Sequence, residues 1–205
     1  MDLRVAPQAD HEHVDSDSGA KGQSSARAAS AEPYALFAFE LRRVPRPNSK
    51  IRGDIEEVVL NRCVLAGVEV LTSAGAETEV AGTAKRPVVQ ARFEGADAPS
   101  VAARSAVRVL ASIRQVQRAA ENEFQVVGAL TVGATARGSG GVRVESGGAD
   151  VLLGKLRERA APGQILLSDE ARAAVADVVE TVPARGAGPG AEGGDAPTHV
   201  LRGLR

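Results

Sequence analysis

The chain has no tryptophan, one tyrosine and four phenylalanines, so aromatics make up only 2% of its 205 residues. A core must therefore be built from Val, Leu, Ile and Ala through many small contacts. Few platforms remain for stacking bases, and a net charge of -1 holds no basic excess to neutralise a phosphate backbone. Nucleic acid is not an expected partner. The single cysteine, Cys63, excludes an internal disulfide framework, and its helical register reads as that of a small buried hydrophobe. No apolar run approaches the roughly 20 residues of a membrane span, and the N-terminus lacks the pattern of a signal peptide. The expected location is cytoplasmic. Arg far outnumbers Lys, and Ala and Gly abound, a bias that fits a GC-rich bacterial genome.

What is present is enough for one domain of ordinary size, with 43% hydrophobic residues. Residues 1–32 are rich in Asp, Ser, Gly and Ala, carry net charge -3 and hold almost no branched aliphatics, so a disordered tail is expected there. His11 and His13 flank Glu12, but three adjacent polar residues in such a tail preorganise a metal site poorly. The domain is assigned to 33–205, with a flexible loop near 185–197.

Within it, YALFAFELRRV from Tyr34 alternates as a central strand. After Pro45 and Pro47, the residues Ile51, Ile55, Val58, Val59, Cys63 and Ala66 recur at helical spacing up to Gly75, although Val68, Val70 and Leu71 alternate like a strand. Glu77–Val80 and Val88–Phe93 read as a hairpin. A second helix opens at Pro99, with Val101, Val107, Leu110, Ala111, Val116 and Ala119 as its apolar face. Then come a strand from Phe124 to Val132, the glycine-rich segment ATARGSGGVRVESGGAD, and a helix at Ala149–Ala160 stopped by Pro162 and Gly163. A short strand from Gln164 ends at Ser168, placed to cap a helix through Asp177, and two further strands close the chain. This order predicts an α+β fold, a ferredoxin-like βαββαβ sandwich core with a C-terminal α/β extension.

The run VVGALTVGATARGSGGVRVESGGADVLLGKLRERAAPGQILLS, from Val126 onward, resembles the second half of a class III nucleotide cyclase domain, and the likeness extends over about Tyr34 to Leu204. That resemblance implies a cyclase-like fold, a head-to-tail dimer and two metal-binding aspartates, which fall here on Phe39 and Pro87. Its transition-state Asn and Arg fall on Val151 and Lys155, and its purine-selecting Lys and Asp on Thr83 and Gly148. Phe and Pro cannot ligate a metal, whereas two-metal nucleotidyl transfer needs carboxylates. Glu40 lies one residue from the first metal position, yet strand alternation turns it to the opposite face. Asp150 adjoins Gly148 but suits the first turn of a helix. Lys155 keeps a charge without the planar fork that grips a phosphoryl group.

Other chemistry is less well supplied. His199 alone of the histidines lies in the domain, GATARGSGG lacks the Lys-Ser/Thr end of a P-loop, and Arg137 and Arg143 offer at most an anion contact. The expected function is a catalytically inactive, degenerate cyclase-like domain serving as a regulatory or dimerisation module, paired with itself, a related domain or an unidentified protein. No catalytic residue, no metal ligand and no cofactor is expected. The alternatives are a nucleotide-binding sensor without turnover, and an active divergent cyclase with relocated ligands.

Overall fold

The computed structural model describes residues 31–43, 53–118, 124–137, 143–146, 148–184 and 198–205. The expected tail with His11 and His13 and the expected loop at 185–197 lie outside these residues.

The strands and helices follow in the order β1 (Glu32–Arg43), α1 (Gly53–Ser73), β2 (Glu77–Thr83), β3 (Arg86–Glu94), α2 (Ala98–Arg118), β4 (Phe124–Arg137), β5 (Arg143–Ser146), α3 (Ala149–Arg159), β6 (Ile165–Ser168), α4 (Asp169–Ala174), β7 (Val179–Pro183) and β8 (Thr198–Leu204). One sheet takes the order β2-β3-β1-β4-β6-β8-β7, with β5 paired to β4. Its first four strands are the expected βαββαβ core. The parallel β4–β6 pair joins the extension to it through α3, and β8 and β7 complete the sheet in antiparallel register.

The alternation of β1 sorts two cores. Ala35, Phe37, Phe39 and Leu41 join the larger cluster under α1, α2 and α4, while Tyr34, Leu36 and Ala38 face α3 through Leu153 and Leu156. β1 is covered on both faces, which explains why so few of its residues are polar. The turn between α3 and β6 follows from Pro162-Gly163: Gly163 has φ 81, a value glycine adopts without a Cβ penalty, and its N–H donates to the Val126 carbonyl at 2.8 Å. Ser168 caps α4 as expected, its hydroxyl accepting from the Ala171 N–H at 3.1 Å.

α1 runs as one helix through Val68, Val70 and Leu71, in line with the helical spacing read up to Gly75, but the facing of the helices differs from expectation. Its buried side is Leu60, Cys63, Gly67 and Leu71, whereas Ile55 and Val58 are exposed. On α2 the buried apolar positions are Ala98, Ala102, Ala103, Ala106, Val109 and Ile113, while Ala111 is exposed and Val101, Val107, Leu110 and Val116 sit at the core's margin. Alanines bring this helix close to the sheet, where the phenylalanines of β1 and β3 supply the volume. Finally, α4 ends at Ala174 and the glycine-rich segment contains strand β5.

Candidate functional site

The two positions that the resemblance assigns to metal ligands lie on adjacent strands. Phe39 pairs across to Val89 of β3, and Pro87 is two residues before Val89, so both belong to the face covered by α1 and α2. Phe39 is fully buried, and Pro87 is buried at the start of β3. Neither is aimed at solvent.

Glu40 and Arg86, each next to one of them in sequence, carry opposite charges and meet on the other face. Glu40 is only 4% exposed, yet it is ionised among three guanidinium groups. Arg42 Nε donates to its Oε1, Arg86 Nη2 donates to the same oxygen at 3.2 Å, and Arg157 Nε of α3 lies 3.9 Å from Oε2. Burial by itself would raise the Glu40 carboxyl, but the hydrogen bonds and charges of Arg42 and then Arg86 outweigh it and hold the group below its ordinary value. Arg42 also donates to the carbonyls of Ala160 at 3.0 Å and Arg157 at 3.2 Å, tying the C-terminal turn of α3 to the end of β1. Arg157 Nε itself is buried without a hydrogen-bond partner.

The paired divalent ions implied by the resemblance do not fit these residues. The carboxylate nearest both positions is engaged by two arginines with a third close by, and the surplus positive charge repels a cation. Among the described residues no three His, Cys, Asp or Glu side chains come together as a metal site.

The remaining assigned positions are scattered on the surface. Val151 and Lys155 are four residues apart on the exposed side of α3, Val151 at 63% exposure. Thr83 closes the β2–β3 turn, its hydroxyl accepting from the Arg86 N–H at 3.2 Å. Gly148 precedes α3 with φ 58 and Asp150 stands in the first turn, as its spacing implied. Asp150 lines a cleft of about 480 Å³ with Glu77, Glu79, Gln90 and Arg92, so that acidic side chains outnumber the basic one. The Arg92 guanidinium of this lining sits 4.2 Å from the Tyr34 ring centroid. The backbones of Arg137 and Arg143 pair across β4 and β5.

One pairing was missed from sequence. His199 Nε2 lies 2.8 Å from Asp169 Oδ1, joining β8 to α4, and no described hydroxyl or thiol completes a nucleophilic triad with it. No signal in the sequence joins two residues from separate elements in this way. Cys63 is buried as expected, and burial pushes its thiol up to about 11.

No protein-family model matches the chain, and no curated protein matches it in sequence. Solved structures match it in fold. The catalytic core of a rhodopsin-guanylyl cyclase with converted specificity, in complex with ATPalphaS, superposes with a TM-score of 0.65 at 14% identity, covering 85% of this chain and 98% of that one. The adenylyl cyclase CyaB from P. aeruginosa gives 0.63 at 15% identity, covering 86% and 96%. The guanylate cyclase domain of RhGC from Catenaria anguillulae, in complex with GTP, gives 0.57 at 16% identity, covering 85% and 98%. The likeness is one of fold along most of the chain: this protein has the fold of the class III nucleotide cyclase catalytic domain.

Proposed function

We propose that the chain is a non-catalytic member of the cyclase-fold proteins, acting as a regulatory module through association with a second copy of itself or a relative. The observation that carries this reading is the charge cluster at Glu40. Where two-metal chemistry needs a pair of free carboxylates, this chain has Phe39 and Pro87 in the core and a carboxylate neutralised by Arg42 and Arg86. In the cleft lined by Glu77, Glu79 and Asp150 the single Arg92 leaves a net negative charge, which disfavours a nucleotide triphosphate and argues against the sensor alternative. Association is supported by apolar residues left in solvent. Ile55, Val58 and Leu65 lie along one side of α1, and Val151 stands on α3.

The test is a product assay with ATP and with GTP, each with Mg²⁺ and with Mn²⁺, alongside sedimentation over a range of concentrations. The expected result is no cyclic nucleotide together with a dimer. Metal-dependent product that exceeds a Lys155→Ala control would overturn the first half, and a strict monomer the second.

A further inference from the structure

A second cleft, of about 410 Å³, opens where the C-terminal turns of α2 meet the start of β4. Its apolar lining comes from Leu110, Phe124 and Val126, and its polar lining from Arg114, Gln117, Arg118 and Gln125. Two features set it apart from ordinary surface. Gln117 is 5% exposed, and its amide nitrogen lies buried with no hydrogen-bond partner. A buried donor left without an acceptor is unfavourable, so its retention calls for one. Arg114 and Arg118 are four residues apart on one side of the helix, and both are exposed.

We propose that this cleft binds a small organic oxyanion, an apolar body bearing a carboxylate or phosphate group. The oxyanion accepts from the Gln117 amide and pairs with Arg114 and Arg118, whose forked donors suit either group. The body rests on Leu110, Phe124 and Val126. The volume lies in the range of small-molecule sites, and the combination of an apolar lining with a few convergent polar groups is what such sites share. Arg118 also stands in the last turn of α2, where it offsets the partial negative charge of the helix end. That role accounts for neither Arg114 nor the buried amide. The proposal is independent of whether the domain retains cyclase chemistry.

The experiment titrates the full chain with phenylphosphate, benzoate, inorganic phosphate and neutral benzamide, and follows the Gln117 side-chain amide by NMR. We expect phenylphosphate or benzoate to shift that resonance saturably, the stronger of the two identifying the headgroup. The Arg114→Ala/Arg118→Ala variant, altered only at exposed positions, is expected to bind at least tenfold more weakly. Gln117→Leu is expected to weaken binding while leaving thermal stability equal or higher, because it removes an unsatisfied buried group. The proposal is overturned if neither organic anion moves the Gln117 signal, if benzamide binds as well as benzoate, if inorganic phosphate alone binds, or if the double arginine variant binds like the parent.

Discussion

The ring of Phe39 in β1 lies directly against the backbone of Gly67 in α1, so close that a Cβ at position 67 would overlap it. Gly67 is thus the helix residue that makes room for the phenylalanine standing where the resemblance places a metal aspartate. The pair gives a first prediction. Gly67→Ala should destabilise the domain by about 1–3 kcal/mol from overpacking, although alanine is the better helix former. Phe39→Asp should cost about 4 kcal/mol or more, since it removes a buried ring and buries a carboxylate in its place. Urea denaturation reads both. A Phe39→Asp variant of wild-type stability would show that position 39 is not built into the core.

The β-α order was legible because its signals are local: alternation from Tyr34 to Leu41, the Pro162-Gly163 stop and the Ser168 cap. The facing of α1 and α2 was not. α1 carries apolar residues around much of its circumference, and the choice of Leu60, Cys63 and Leu71 over Ile55 and Val58 depends on Gly67 admitting Phe39. On α2 the larger apolar residues carry the stronger periodic signal, whereas close packing against the sheet favours the alanines. At the candidate site, the turning of Glu40 away from Phe39 followed from strand parity. Its arginines did not, because Arg86 is 46 positions away and Arg157 comes from α3, so only the folded topology joins them.

Glu40 supplies a pH-dependent prediction. Its folded-state carboxyl is held below the unfolded value of 4.5, so the stabilisation is complete above about pH 4.5 and is lost as pH falls through the lower folded value. Glu40→Gln should cost about 2–3 kcal/mol at pH 7, the worth of hydrogen bonds to charged groups. The gap between variant and wild type should narrow as acid protonates Glu40. Denaturation curves at pH 7, 4 and 3 measure it, and a constant gap across this range would contradict the assignment.

Cys63 should be chemically inert in the native domain. Its buried thiol is raised from 9.0 to about 11, so almost no thiolate forms at pH 8, and reaction with an aromatic disulfide reagent should wait for unfolding. The sign of the linkage is opposite to that of Glu40. The neutral thiol is favoured by folding, so its contribution is full below about pH 9 and declines as pH rises towards 11. Immediate stoichiometric labelling in native buffer would refute this.

The exposed side of α1 provides the sharpest test of self-association. Leu65 and Val58 are 66% and 53% exposed, and together with Ile55 they form a stripe that gains nothing from water. If a second copy covers that stripe, Val58→Glu and Leu65→Arg should each weaken the dimer at least tenfold, since each leaves a charge desolvated at an apolar contact. Neither side chain belongs to the core, so the melting point extrapolated to low protein concentration should move by only a degree or two. A charge-swapped mixture is the internal control. If the two stripes meet directly, equimolar Val58→Glu and Leu65→Arg chains should associate more strongly than either chain alone, because opposite charges then face each other across the contact. Sedimentation equilibrium on the separate and mixed variants decides the matter. Dimers unaffected by both substitutions would move the interface to another face, with Val151 and Lys155 of α3 the next positions to alter.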